Sequence, residues 1–133
     1  MLAHVSIIIA GVLCLVMAIF HTRFPKMFRW TEDFKKIQLA NKRIFNTIHI
    51  ALILLFVISA LLTLLFYKEL CNPDSFATAL LISFSAFWVW RMIWQVLYFK
   101  IPKGAPLSAC VMNYAMITVF TLLAIAYFMP VVL

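Results

Sequence analysis

Residues 76–99 have the sequence FATALLISFSAFWVWRMIWQVLYF, and Arg91 is the only charged side chain among them. About 20 consecutive apolar residues are enough for an α-helix to cross the hydrocarbon core of a bilayer. Because backbone N–H and C=O groups cannot go unpaired in lipid, such a segment must be helical. The stretch therefore predicts a transmembrane helix that carries a charge inside the membrane.

Three more apolar runs of similar length lie at about 2–20, 44–67 and 109–132. With 67% hydrophobic residues, 11% charged residues and a mean hydropathy of +1.10, the chain is too apolar for a soluble domain. The first run lacks the basic flank and the small-residue cleavage site of a signal peptide, so we expect a retained helix. We predict an all-α integral membrane protein, a single domain over 1–133 that forms a four-transmembrane-helix bundle.

The basic residues flank the apolar runs and indicate orientation. The segment 21–43 holds seven Lys and Arg against two acidic residues, the second loop has a net charge of −1, and the third a net charge of +2. Lys and Arg accumulate in cytoplasmic loops, which predicts that the N-terminus and C-terminus are both non-cytoplasmic. The net charge of +7 then does not indicate nucleic acid as a partner. We expect a multi-pass protein of the bacterial cytoplasmic (inner) membrane.

The first cytoplasmic loop contains an amphipathic pattern. Met27, Trp30, Phe34 and Ile37 recur at spacings of three and four, with the basic residues off that stripe. This spacing predicts a short interfacial helix on the inner leaflet, with Thr31 as its cap. An irregular basic loop is the alternative.

Small side chains are concentrated in the non-cytoplasmic half of the predicted helices. They are Ser59, Ala60, Thr63, Ala79, Ser83, Ser85, Ala86, Thr121, Ala124 and Ala126. Small residues let membrane helices approach closely, so we expect this half to be the tightly packed one.

Polar side chains from all four helices converge in the cytoplasmic half. The candidate ligand-binding residues are His21, Asn46, His49, Trp88, Arg91, Gln95, Tyr98 and Asn113. An ionised arginine in hydrocarbon costs several kcal/mol, and no Asp or Glu lies within the four runs to pair with it. Arg91 must therefore use Gln95, Asn46, Asn113, backbone carbonyls, water, inner-leaflet phosphates, an acidic partner subunit or an anionic ligand.

These features favour a non-catalytic accessory or scaffold subunit with a lipid- or amphiphile-binding polar pocket. Its expected partners are membrane lipids and a second copy or a larger membrane protein, contacted laterally. No catalytic residue is indicated. His21 and His49 on neighbouring helices leave haem, quinone or a metal ion as alternatives, without the further ligands that a metal site would need. Transport is disfavoured because the spans hold no acidic residue for ion coupling and no broken helix.

An enzymatic alternative comes from a resemblance. Four helices, a basic first loop, an outward N-terminus and an arginine on the cytoplasmic side resemble the layout of the membrane-associated eicosanoid and glutathione metabolism family. That family's helix-two pattern of arginine, asparagine and glutamate is matched here by Arg43 and Asn46, without the glutamate. The resemblance implies a small homo-oligomeric membrane enzyme, and because it extends to layout only, the family's activity is not carried over.

Overall fold

A computed structural model describes all residues, Met1–Leu133, as helices joined by turns, without a strand. Four helices are long and apolar enough to cross a membrane: α1 (Leu2–His21), α4 (Leu39–Leu65), α6 (Ser75–Leu97) and α7 (Leu107–Val132). Three short helices connect them: α2 (Phe24–Met27), α3 (Trp30–Asp33) and α5 (Tyr67–Cys71). The prediction of an all-helical chain with four membrane-length helices is confirmed.

The helix boundaries differ from the predicted ones mainly in α4, which begins at Leu39 instead of 44. Hydropathy excluded Lys42 and Arg43, yet Lys and Arg are good helix formers when their side chains reach water. With 27 residues, α4 is about 40 Å long at 1.5 Å per residue, which exceeds the roughly 30 Å of the hydrocarbon core. Its first turns can therefore extend beyond the membrane.

The predicted amphipathic helix is divided in the structure. Arg29 adopts a left-handed conformation with φ 54°, which ends the helical path between α2 and α3, and a 3-10 turn over Phe34–Lys36 follows. No side chain caps α3, so the predicted Thr31 cap is wrong. The Trp30 and Phe34 rings pack 4.7 and 5.3 Å from the Phe45 ring of α4. These stripe residues thus contact the protein, and the placement of the segment on the inner leaflet stays a prediction.

The four long helices leave a gap on one side of the bundle. We call the end that carries both chain termini and α5 the termini end, and the opposite end, with α2, α3 and the 98–106 loop, the basic end. The pairs α1–α4, α1–α7 and α6–α7 pack closely, whereas α4 and α6 do not pack closely against each other. The bundle is therefore open between α4 and α6.

The packed core lies toward the termini end, where six of the ten small residues are buried and Thr121 is partly buried, whereas Ala79, Ser83 and Ala86 are exposed on α6. The largest fully buried side chains of this core are Ile7, Cys14, Thr63, Leu81, Trp88, Phe120, Leu123 and Tyr127. Between the level of Trp88 and the basic end, only His21 and Gln95 are buried. Most of the polar candidate residues thus lie in the less buried half of the bundle.

A chain of hydrogen bonds ties three helices together inside this core. Thr63 Oγ1 donates to the Ser59 carbonyl at 2.6 Å and lies 2.8 Å from Tyr127 Oη, which is in turn 3.3 Å from Cys14 Sγ. Because the Thr63 proton is used on the carbonyl, Tyr127 donates to Thr63 and the Cys14 thiol donates to Tyr127. The side chains of α1, α4 and α7 are therefore held in one register.

Candidate functional site

Three aromatic rings from three helices close the core on its basic-end side. Trp88 of α6 stacks on Phe56 of α4, with ring centroids 5.5 Å apart, and on Phe120 of α7 at 5.6 Å. The two interplanar angles are 18° and 25°, so the rings are close to parallel. We call these three residues the aromatic layer. We use the term cleft for the region on the basic-end side of this layer, beside α4 and α6, which do not pack closely against each other.

Arg91 lies on the open face of the aromatic layer. Its guanidinium carbon is 4.9 Å from the centre of the Phe120 ring and 5.8 Å from that of Trp90. The side chain is partly buried and makes no hydrogen bond or ion pair, since the only ion pair in the molecule joins Arg29 and Glu32. A cation over an aromatic face is stabilised by about 0.5–2 kcal/mol.

The direction of the Arg91 side chain follows from the direction of its helix. Cα–Cβ bonds tilt toward a helix N-terminus, and the N-terminus of α6, at Ser75, lies at the termini end. The guanidinium is accordingly held against Phe120 instead of extending toward the basic end. α6 ends at Leu97, so Arg91 is six residues from the helix end.

Gln95 and Asn113 form an amide pair one turn closer to the basic end. Gln95 Nε2 donates to Asn113 Oδ1 at 2.8 Å, which joins α6 to α7. Arg91 donates no hydrogen bond to either amide, so the bonds predicted between Arg91 and these two residues are not formed. The second Gln95 N–H and the Asn113 amide N–H groups remain available as donors to a bound molecule.

His21 and His49 form the α1–α4 side of the cleft, with their rings 6.2 Å apart. His21 Nδ1 donates to the Met17 carbonyl at 2.8 Å, which leaves Nε2 as the acceptor nitrogen of that ring. His49 Nε2 is enclosed and has no hydrogen-bond partner, and its ring meets Trp30 edge to face at 4.7 Å. No third His, Cys, Asp or Glu joins them to form a group that could hold a metal ion.

The remaining predicted site residues lie away from these contacts. Asn46 is exposed on α4, and Tyr98 is 67% exposed at the basic end of α6, where it stacks on Trp94 at 4.8 Å. Trp94 is itself 5.9 Å from Trp90, so the three rings make a continuous aromatic strip along α6. The structure thus groups six of the eight candidates around the aromatic layer and leaves two on the surface.

Two cavities lie elsewhere in the molecule. One of about 840 Å³ is at the termini end, where His4 and Cys71 are among its lining residues. The other, of about 380 Å³, is an apolar groove on the outer face of α6, between Ile82 and Ile93. Neither is lined by Arg91 or by the two cleft histidines.

Sequence reasoning missed the aromatic partners of the site. Phe120 supports Arg91, and Phe24 lies 4.3 Å from the His21 ring and 6.0 Å from the His49 ring. Apolar residues of a membrane helix look alike in sequence whether they face lipid or protein, so Phe120 carried no distinguishing signal. Phe24 directly precedes Pro25, and a proline near the end of an apolar run is a sequence signal for a turn after α1.

Comparison with protein-family models, curated proteins and solved structures finds no match to this chain.

Proposed function

We propose that this protein is a non-catalytic subunit of a bacterial cytoplasmic membrane that holds an anionic amphiphile in the cleft at its basic end. One observation carries the proposal. The guanidinium of Arg91 lies against the Phe120 ring of the aromatic layer without an acidic partner, in a bundle where α4 and α6 do not pack closely against each other.

The energetics of Arg91 favour an external anion. A charge within the membrane costs at least about 2.5–3.5 kcal/mol at a helix centre. Contact with the Phe120 and Trp90 rings recovers part of that cost, at about 0.5–2 kcal/mol for a cation over an aromatic face, and no hydrogen bond or ion pair within the chain adds to it. A carboxylate or phosphate would accept two parallel hydrogen bonds from the guanidinium fork, and charge-assisted bonds are about twice as strong as neutral ones.

The shape of the bundle supports entry of an amphiphile from the bilayer. Because α4 and α6 do not pack closely, a hydrocarbon chain can lie between them while the polar group reaches Arg91. The only turn between α5 and α6 is Asn72–Asp74, so this connection offers little surface for a soluble partner. Contacts with another membrane protein are therefore expected along the helices.

The proposal is tested by purification in mild detergent, followed by native mass spectrometry of the intact protein. We expect the wild-type protein to retain an anionic amphiphile, and a larger membrane protein to co-purify at fixed stoichiometry. Arg91→Leu should lower the bound fraction by about tenfold or more, the equivalent of one charged hydrogen-bond partner. Lys103→Leu, which removes an exposed cation from the 98–106 loop, is the matched control and should retain it. Equal retention by both variants would contradict the role of the cleft.

The orientation predicts a labelling pattern with a membrane-impermeant maleimide. In a cysteine-free background, Asn72→Cys should react in intact cells, whereas Lys36→Cys and Lys103→Cys should react only after permeabilisation. All three positions are exposed. The opposite pattern would invert the topology and place the cleft on the other side of the membrane.

Native Cys71 is a poor reporter for this measurement. Its side chain is 8% exposed, and burial raises the pKa of the Cys71 thiol. The thiolate is the reactive species, so a raised pKa means less thiolate at neutral pH. We expect Cys71 to be labelled more slowly than Asn72→Cys at pH 7, with the difference narrowing as the pH rises.

A further inference from the structure

The depth of Arg91 limits which anionic group can reach it. Six residues separate it from the last residue of α6, which is about 9 Å at 1.5 Å per residue. Its side chain then runs further from the basic end, to the Phe120 ring. The guanidinium is therefore held below the level at which phospholipid phosphates lie, and a ligand must bring its negative charge down to it.

The single positive charge of Arg91 matches a ligand that carries one negative charge. Arg91 is the only charged residue of α6, and α1 and α7 contain none. Lys42 and Arg43 of α4 lie in its first two turns, at the basic end. A phosphate monoester, with close to two negative charges, would leave much of its charge unpaired in hydrocarbon, which is costly. A carboxylate carries one charge, and its two oxygens fit the planar guanidinium fork.

The neighbouring groups suit the same headgroup. Gln95 follows Arg91 by four residues, which places it on the same face of α6 at a Cβ–Cβ separation of about 5–6 Å. The free amide N–H groups of Gln95 and Asn113 can donate to a carboxylate oxygen that Arg91 does not occupy. Beyond Arg91 the aromatic layer blocks further penetration, so the chain attached to the carboxylate has to leave through the gap between α4 and α6.

We infer that the ligand is a single-chain carboxylate of the fatty-acid class, bound through its carboxylate to Arg91. This inference rests on the proposed function, because it names the chemistry of the amphiphile in the same cleft. A two-chain phospholipid would instead place its phosphate at the membrane surface, where Lys100 follows the end of α6. Substitutions of Arg91 and of Lys100 should therefore have different effects on the binding of the two classes of ligand.

The test measures binding of palmitate, methyl palmitate and phosphatidylglycerol to the full-length protein in uncharged detergent. We expect Arg91→Gln to weaken palmitate binding by about tenfold or more, and Lys100→Gln to leave it unchanged. Arg91→Lys keeps the charge but loses the fork, and should bind palmitate with intermediate affinity. Methyl palmitate has the same chain without a charge and should not compete. Helical content by circular dichroism controls for the fold of each variant.

Two results would overturn the inference. If methyl palmitate competes as well as palmitate, the carboxylate is not recognised. If phosphatidylglycerol is retained, through either cation, while palmitate is not, the ligand is a phospholipid, and the proposed function survives without the inference. Retention of no amphiphile by the wild-type protein would overturn both.

Discussion

Trp88→Ala is expected to destabilise the bundle by about 3–5 kcal/mol, the range for removing a buried aromatic side chain. Trp88 is 2% exposed and fills the space between Phe56 and Phe120. Lipid tails are as apolar as the protein interior, so the loss comes from packing contacts and from the cavity left behind. Reversible unfolding in mixed micelles, followed by circular dichroism, measures the change in the free energy of unfolding.

Two controls separate stacking from general loss of a tryptophan. Trp88→Phe keeps an aromatic ring in the layer and should cost much less than Trp88→Ala. Trp90→Ala removes the same side chain from a position that is 50% exposed, and should cost less than about 1 kcal/mol. If Trp88→Ala and Trp90→Ala have equal effects, the aromatic layer is not a structural element of the bundle.

Removal of the Trp88 side chain should also change the position of the Arg91 side chain. The Phe120 ring stacks on Trp88 and also contacts the guanidinium of Arg91. Without Trp88 the Phe120 ring is free to rotate into the vacated space. The stability of the packed half and the position of the one membrane-embedded charge are thus coupled through a single ring.

The sequence predicted the features of this fold that depend on composition. Runs of apolar residues indicated the four long helices, and the concentration of small residues indicated the tightly packed half. The convergence of Arg91, Gln95, Asn113 and the two histidines was also visible, because helical periodicity places them on inward faces. These predictions work because lipid forces every spanning segment to be a helix.

Other features depend on which neighbour each side chain meets, and the sequence does not contain that information. The stripe with Trp30 and Phe34 has the same pattern whether it faces lipid or α4. Gln95 and Asn113 were equally plausible partners for Arg91 and for each other. Gln95 and Asn113 pair with each other because α6 packs closely against α7 and not against α4.

Gly11→Ala is expected to destabilise the protein by about 1–3 kcal/mol, the range for overpacking a core. Gly11 lies where α1 packs closely on α4. A Cβ added there would be 2.6 Å from Cγ and Cδ2 of Leu64 and 3.3 Å from Cγ2 of Thr63. Leu64 is partly exposed and can move away to some extent, but Thr63 is buried and bonded to Tyr127. The change in the free energy of unfolding is measured in mixed micelles.

Whether Gly11→Ala lowers or raises the free energy of unfolding shows how closely α1 approaches α4. Alanine is better than glycine inside a helix by about 1 kcal/mol, so without a close approach of α1 and α4 the substitution would stabilise the protein. In a Leu64→Ala background, most of the atoms that meet the new Cβ are gone, and Gly11→Ala should become neutral or stabilising. If Gly11→Ala stabilises the otherwise wild-type protein, α1 and α4 are further apart than described. The hydrogen bonds from Cys14 through Tyr127 to Thr63 would then have no close helix pair to hold them in register.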